Sequence, residues 1–234
     1  MTEFDRKIVV VTGASSGIGW AAAELFAAQG ALVAVFARSG EKLAELAARH
    51  GDRMLTVTGD VAEPADVEHL FTEVEGRFGD CDVLVNNAGM IDPKRVLDTT
   101  PEAWDRMFAV NVRGTFLASR RALPAMLARR AGTIVNVASI SGIPGPEKFP
   151  GFASYNASKA AVIAFTEALA VEAKGLGVRV NCVSPGSVDT PMWAAASGGA
   201  PADMTAGEVA GMILFLASER SRPMNGQNVH VYGV

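Results

Sequence analysis

Short β-branched apolar runs alternate with alanine-rich stretches along the whole chain. The runs Ile8–Val11, Leu32–Phe36, Met54–Val57, Val83–Val85, Thr133–Val137, Val178–Val183 and Val229–Val231 read as strands. Between them, Ile18–Gln29, Glu41–Arg49, Ala65–Phe78, Glu102–Arg130, Ser154–Lys174 and Glu208–Leu216 read as helices. Strands this continuously apolar need cover on both faces, and their alternation with helices implies parallel crossovers. The predicted fold class is α/β, a doubly wound parallel sheet of about seven strands with helices on both faces. No repeat or linker divides the sequence, so one domain over residues 1–234 is expected. Two segments, Ser141–Phe152 and Pro185–Met204, are rich in Gly, Pro and Ala and read as irregular. Each follows the C-terminal end of a strand, where open α/β sheets place their ligands.

Composition removes several classes of function. With 49% hydrophobic and 20% charged residues the chain can bury a large core. A net charge of −4 argues against nucleic acid, which needs a basic surface. No apolar run approaches the ~18 residues of a membrane span, and MTEFDRKIVVVTG is unlike a signal peptide. Cys81 and Cys182 have no metal-like spacing, and Cys182 reads as a buried apolar filler. His50, His69 and His230 are scattered, so neither zinc nor a His-based triad is supported. A cytoplasmic setting, no membrane association and no metal are the expectations.

Two groups of residues carry candidate chemistry. Thr12-Gly13-Ala14-Ser15-Ser16-Gly17-Ile18-Gly19 joins the first strand to the first helix. Glycines permit a tight turn there, and a helix N-terminus offers free N–H groups to a pyrophosphate. After the second strand, Phe36-Ala37-Arg38-Ser39 sits where an adenosine ribose would lie. The acid that usually binds a ribose 2′-hydroxyl is missing, and Arg38 can instead hold a 2′-phosphate. NADP(H) is therefore favoured over NAD(H). Tyr155 and Lys159, four positions apart, share one helix face. A phenol of pKa ~10 is a poor acid-base group at neutral pH, but an ammonium beside it favours the phenolate. Ser139 upstream offers a hydroxyl to the oxygen of a carbonyl or alcohol.

Together these residues make the chain resemble the short-chain dehydrogenase/reductase family in its compact single-domain, Rossmann-type form. TGASSGIG is similar to the family's TGxxxGxG turn, Asn86-Asn87-Ala88-Gly89 to its NNAG segment, and Tyr155-Asn156-Ala157-Ser158-Lys159 to its YxxxK. Asn111 in FAVNVRGTF, Ser139 in NVASISG, and Pro185-Gly186 followed by Thr190 also match in order and spacing. The resemblance implies that Tyr155 is the acid-base group, Ser139 binds the reacting oxygen, and Lys159 lowers the Tyr155 pKa and binds the nicotinamide ribose. It implies further that Asn111 holds a relay water, although this residue could simply cap or kink its helix. Asp60 and the Val61 backbone would meet the adenine, Asn87, Ala88 and Gly89 would line the adenosine side, and Val188 and Thr190 would fix the carboxamide. The implied reaction is hydride transfer between cofactor and a carbonyl or alcohol carbon. A homotetramer is the first implied assembly and a dimer the second.

The sequence departs from that pattern in three places. Ser139 lies farther from Tyr155 than is usual, which leaves Ser141 as a rival; Ser139 is preferred because it is nearer the strand end. The substrate loop near 190–207 reads as shortened, which implies an open pocket walled by Phe149, Phe152, Met192 and Trp193. Val171-Glu172 lacks the arginine typical of acyl-carrier-protein reductases. The leading reading is an NADP(H)-dependent carbonyl reductase or alcohol dehydrogenase. An NAD-dependent alcohol, polyol or steroid dehydrogenase and a non-catalytic cofactor sensor are the alternatives.

Overall fold

The computed structural model describes residues 2–145 and 148–233. Met1, Pro146, Glu147 and Val234 lie outside the described residues, and with them parts of the expected 141–152 loop and of the C-terminal segment. Seven strands form one parallel sheet: β1 (Ile8–Thr12), β2 (Leu32–Ala37), β3 (Met54–Thr58), β4 (Val83–Asn86), β5 (Gly132–Val137), β6 (Val178–Pro185) and β9 (Asn228–Val231). Their order across the sheet is β3-β2-β1-β4-β5-β6-β9. A separate parallel pair, β7 (Val188–Asp189) with β8 (Met204–Thr205), lies beyond the end of β6. The helices are α1 (Gly17–Ala28), α2 (Gly40–Ala47), α3 (Pro64–Arg77), α4 (Pro101–Phe108), α5 (Gly114–Arg129), α6 (Ala153–Glu172), α7 (Pro191–Ser197) and α8 (Ala206–Ala217).

Successive side chains of a strand point to opposite faces, and β1 shows how this builds two cores. Val9 and Val11 join Phe26 of α1 and Ile213 and Leu216 of α8 on one face. Val10 joins Leu70 and Phe71 of α3 and Met126 of α5 on the other. Helices thus cover both faces, as the continuous apolar strands require. The chain steps from β1 outward to β2 and β3, then returns to β4 on the other side of β1. That reversal opens a crevice at the strand C-termini.

Two expectations need correction. The long helix expected over Glu102–Arg130 is instead α4, a π-helical turn at Ala109–Arg113, and α5. Its cause is tertiary, since Asn111 is pulled toward Met90 and Ser158. The segment Pro185–Met204 is not irregular throughout, because it contains β7, β8's first residue and the seven-residue α7. Thr190 caps α7 by accepting from Trp193 N at 3.2 Å, with Pro191 at the first helical position. Among the described residues no helix is long and apolar enough to cross a membrane, and no group of His, Cys, Asp or Glu could hold a metal ion.

Candidate active site

The β1–α1 turn is built by two glycines with left-handed backbone. Gly13 has φ +68°, and a Cβ there would stand 2.6 Å from Ala88 Cα. Gly17 has φ +56°, and a Cβ there would stand 2.8 Å from the Thr190 methyl. Only glycine combines these conformations with such close approach. Asn87, just after β4, locks the turn by donating from Nδ2 to the carbonyls of Thr12 at 3.1 Å and Gly13 at 3.0 Å. The Thr12 hydroxyl in turn accepts from the backbone N–H of Asn87 and of Ala88, both at 3.1 Å. The N-cap residue of α1, Ser16, makes no side-chain cap bond among the described residues. The first N–H groups of α1 therefore open onto the crevice, which suits an anion such as a pyrophosphate.

A cavity of about 390 Å³ occupies the crevice. Of the expected cofactor residues, Gly13, Ser15, Ser16, Gly17, Ile18, Arg38, Asp60, Val61, Asn87, Ala88, Gly89, Tyr155, Lys159 and Thr190 line it. Gly19 does not, being buried within α1 against the Asn87 amide. Pro185, Gly186 and Val188 line the adjoining cavity instead. That second cavity, about 510 Å³, takes in all four expected pocket residues, Phe149, Phe152, Met192 and Trp193. Tyr155, Thr190, Ile18, Ala138 and Met192 are common to both cavities. The first cavity, lined by charged and polar groups from Arg38, Asp60 and Arg106 to Tyr155 and Lys159, suits a dinucleotide, and the mainly apolar second cavity suits an organic molecule.

Ser139 is buried at the end of β5, beside the Tyr155 phenol. Its hydroxyl accepts from Ser141 N at 3.2 Å and donates to the Pro185 carbonyl at 3.5 Å. Ser141 also lines the second cavity, while its carbonyl accepts from Lys148 Nζ at 2.9 Å. Lys159 is buried, and its Nζ donates to the Val137 carbonyl at 2.8 Å. Burial pushes its pKa down to about 8. The Tyr155 phenol is pushed up to about 12 by burial, and the Ser139 hydroxyl beside it pulls the other way. Burial dominates, and the opposing pull comes from Ser139 rather than, as expected, from Lys159, whose ammonium lies 5.7 Å from the ring centroid.

Asn111 lies behind the cavities, and its side chain is committed to the loop after β4. Its Oδ1 accepts from Met90 N at 2.7 Å, while Nδ2 donates to Met90 O at 3.0 Å and to Ser158 Oγ at 2.9 Å. Its own carbonyl accepts from Thr115 Oγ1 at 3.0 Å. The amide therefore ties together the loop after β4, the π-helical turn and α6. Thr190 is similarly engaged, donating to the Val188 carbonyl at 3.2 Å while capping α7. The carboxylate of Asp60, expected to face an adenine, is ion-paired with Arg106 of α4 and also accepts from Ala62 N at 2.9 Å. Sequence reasoning passed over Arg106, which lines the cofactor cavity. A helical arginine carries no local signal of what it meets across the fold.

Comparison with known proteins agrees with this geometry. A family model described as short chain dehydrogenase matches residues 7–200. The chain is 41% identical to a 2-(R)-hydroxypropyl-CoM dehydrogenase of Xanthobacter autotrophicus, with 94% of each chain covered. It is 38% identical to a meso-2,3-butanediol dehydrogenase of Serratia marcescens, over 98% of this chain and 94% of that one. The crystal structure of a levodione reductase matches with a TM-score of 0.91 and 29% identity, covering 97% of this chain and 96% of that one.

Proposed function

The chain belongs to the short-chain dehydrogenase family, and from that premise we propose that it is an NADP(H)-dependent enzyme interconverting a carbonyl and a secondary alcohol. Its membership makes it an oxidoreductase that uses a nicotinamide cofactor on alcohol and ketone substrates. When bound, that cofactor supplies or accepts the hydride. The observation that carries the reading is the shared wall: Tyr155 faces both the dinucleotide cavity and the substrate cavity, with Ser139 beside its hydroxyl.

In this reading the chain's own residues bind, orient and move the proton. The open N-terminus of α1 receives the pyrophosphate. Arg38 receives a 2′-phosphate, since the residue before it is Ala37 and supplies no acid for a free 2′-hydroxyl. Ser139 holds the substrate oxygen, and Tyr155 gives that oxygen its proton in reduction or removes it in oxidation. Lys159, whose pKa lies near 8, is placed to bind the ribose and to exchange a proton toward Tyr155. Asn111 acts through Met90 and Ser158, keeping the loop after β4 and α6 in register.

Phe149, Phe152, Met192 and Trp193 give the substrate cavity its apolar walls, which suits a bulky, uncharged ketone. The shortened loop near 190–207 leaves that cavity weakly gated. A homotetramer is the assembly we expect from family membership, with a dimer as the second. A panel of aryl and cyclic ketones assayed with NADPH tests the reading. Turnover by the wild type that is lost in Tyr155→Phe supports it. Undiminished turnover in Tyr155→Phe would remove Tyr155 from the chemistry.

A further inference from the structure

We propose that Arg106 is a second determinant of cofactor choice, acting by neutralising Asp60 at the adenosine end of the cavity. The inference rests on the NADP(H) reading above. Three charged side chains from separate parts of the fold meet there: Arg38 after β2, Asp60 after β3 and Arg106 on α4. The Arg106 guanidinium pairs with Asp60 Oδ2, while Asp60 Oδ1 accepts from Ala62 N at 2.9 Å. The carboxylate is therefore fixed by the backbone and cannot swing away from the cavity. Arg106, Ala62 and Arg38 together hold its pKa below the usual carboxylate value, against the upward pull of burial. It is ionised at neutral pH.

A fixed carboxylate in this position repels a phosphomonoester on the neighbouring ribose. A free 2′-hydroxyl carries no charge and feels no such repulsion. Pairing with Arg106 cancels the Asp60 charge and leaves the charge of Arg38 available to the phosphate. Arg106 itself is anchored one helical turn before the π-helical turn, next to fully buried Met107, so its base does not wander. Its side chain is 38% exposed against 22% for Asp60, so solvent and salt moderate the effect. Arg106 is thus a positioning and charge-balancing residue, and Arg38 is the group that touches phosphate.

The test is fluorescence titration with NADPH and NADH of the wild type, Arg106→Ala, Asp60→Asn and the double variant, with thermal unfolding as a check on folding. Arg106→Gln replaces Arg106→Ala should the latter not fold. Expected is a loss of about tenfold in the NADPH/NADH affinity ratio in Arg106→Ala. The double variant should recover most of that ratio, because the unpaired carboxylate is gone. An unchanged ratio in Arg106→Ala, with a wild type that prefers NADPH, overturns this proposal alone. Loss of the ratio without recovery in the double variant overturns it as well, since Arg106 would then act directly on the phosphate. A wild type that prefers NADH overturns both the cofactor reading and this proposal.

Discussion

Lys159 Nζ lies 5.7 Å from the centroid of the Tyr155 ring and gives a hydrogen bond to the Val137 carbonyl at 2.8 Å. This ammonium is buried at a cost. Folding lowers its pKa from 10.5 to about 8, a shift worth on the order of 3 kcal/mol. The cost is present in full below the folded pKa and fades as pH rises toward the unfolded one.

Lys159→Met should therefore stabilise the cofactor-free protein at neutral pH while abolishing turnover. Losing the bond to Val137 offsets part of the gain, leaving about 1–2 kcal/mol. Urea unfolding at a series of pH values checks it. The gain should shrink as pH rises from 8 to 10.5; a variant equally or less stable than wild type at neutral pH would contradict the buried-charge argument.

Tyr155→Phe should bind the nicotinamide cofactor as the wild type does and lose activity by about 10²–10⁴-fold. Because burial holds the phenol near 12, alcohol oxidation by the wild type should accelerate as pH is raised. A flat pH profile for oxidation would show that Tyr155 is not the base.

Asn111→Ala should destabilise the protein by about 1–2 kcal/mol, because it removes the partners of the half-buried Met90 N–H and carbonyl and cuts the tie to Ser158, whose hydroxyl keeps its bond to the Tyr155 carbonyl. Cofactor affinity should fall too, since the loop after β4 loses its anchor. Equilibrium unfolding and a cofactor titration together check this; unchanged stability would place the cause of the π-helical turn elsewhere.

Asp203 lines the substrate cavity, where it accepts from Ser187 Oγ at 2.6 Å, and no Lys or Arg lines that cavity among the described residues. The ammonium of Lys148, nearby in the same loop as Ser141, is occupied by the carbonyls of Ile140, Ser141 and Ile143. A ketone carrying a carboxylate should therefore be turned over about tenfold less efficiently than a neutral compound of the same shape. Asp203→Asn should narrow the gap in kcat/KM, and an anionic ketone preferred by the wild type would refute the charge argument.

The central strands were legible because they are runs of β-branched residues buried on both faces, as Val9, Val10 and Val11 illustrate, while the edge strands β3 and β9 are only partly buried. The cofactor turn was legible because its glycines must lie where the chain bends against Ala88 and Thr190. The π-helical turn was not, since it depends on bonds from Asn111 to Met90 and Ser158 that no local periodicity encodes. The start of α7 did have a signal in Thr190-Pro191, a cap followed by proline, but the surrounding Gly and Ala obscured it. Arg106 escaped notice for a different reason. A lone arginine on a helix looks like a solvated charge until the fold brings Asp60 to it.

The most direct measurement is a paired titration of the wild type and Arg38→Asp with NADPH and NADH, followed by nicotinamide fluorescence. Tighter binding of NADPH by the wild type, reversed in Arg38→Asp, is the expected result. Tighter binding of NADH by the wild type, or binding of neither, would contradict an NADP(H)-dependent enzyme.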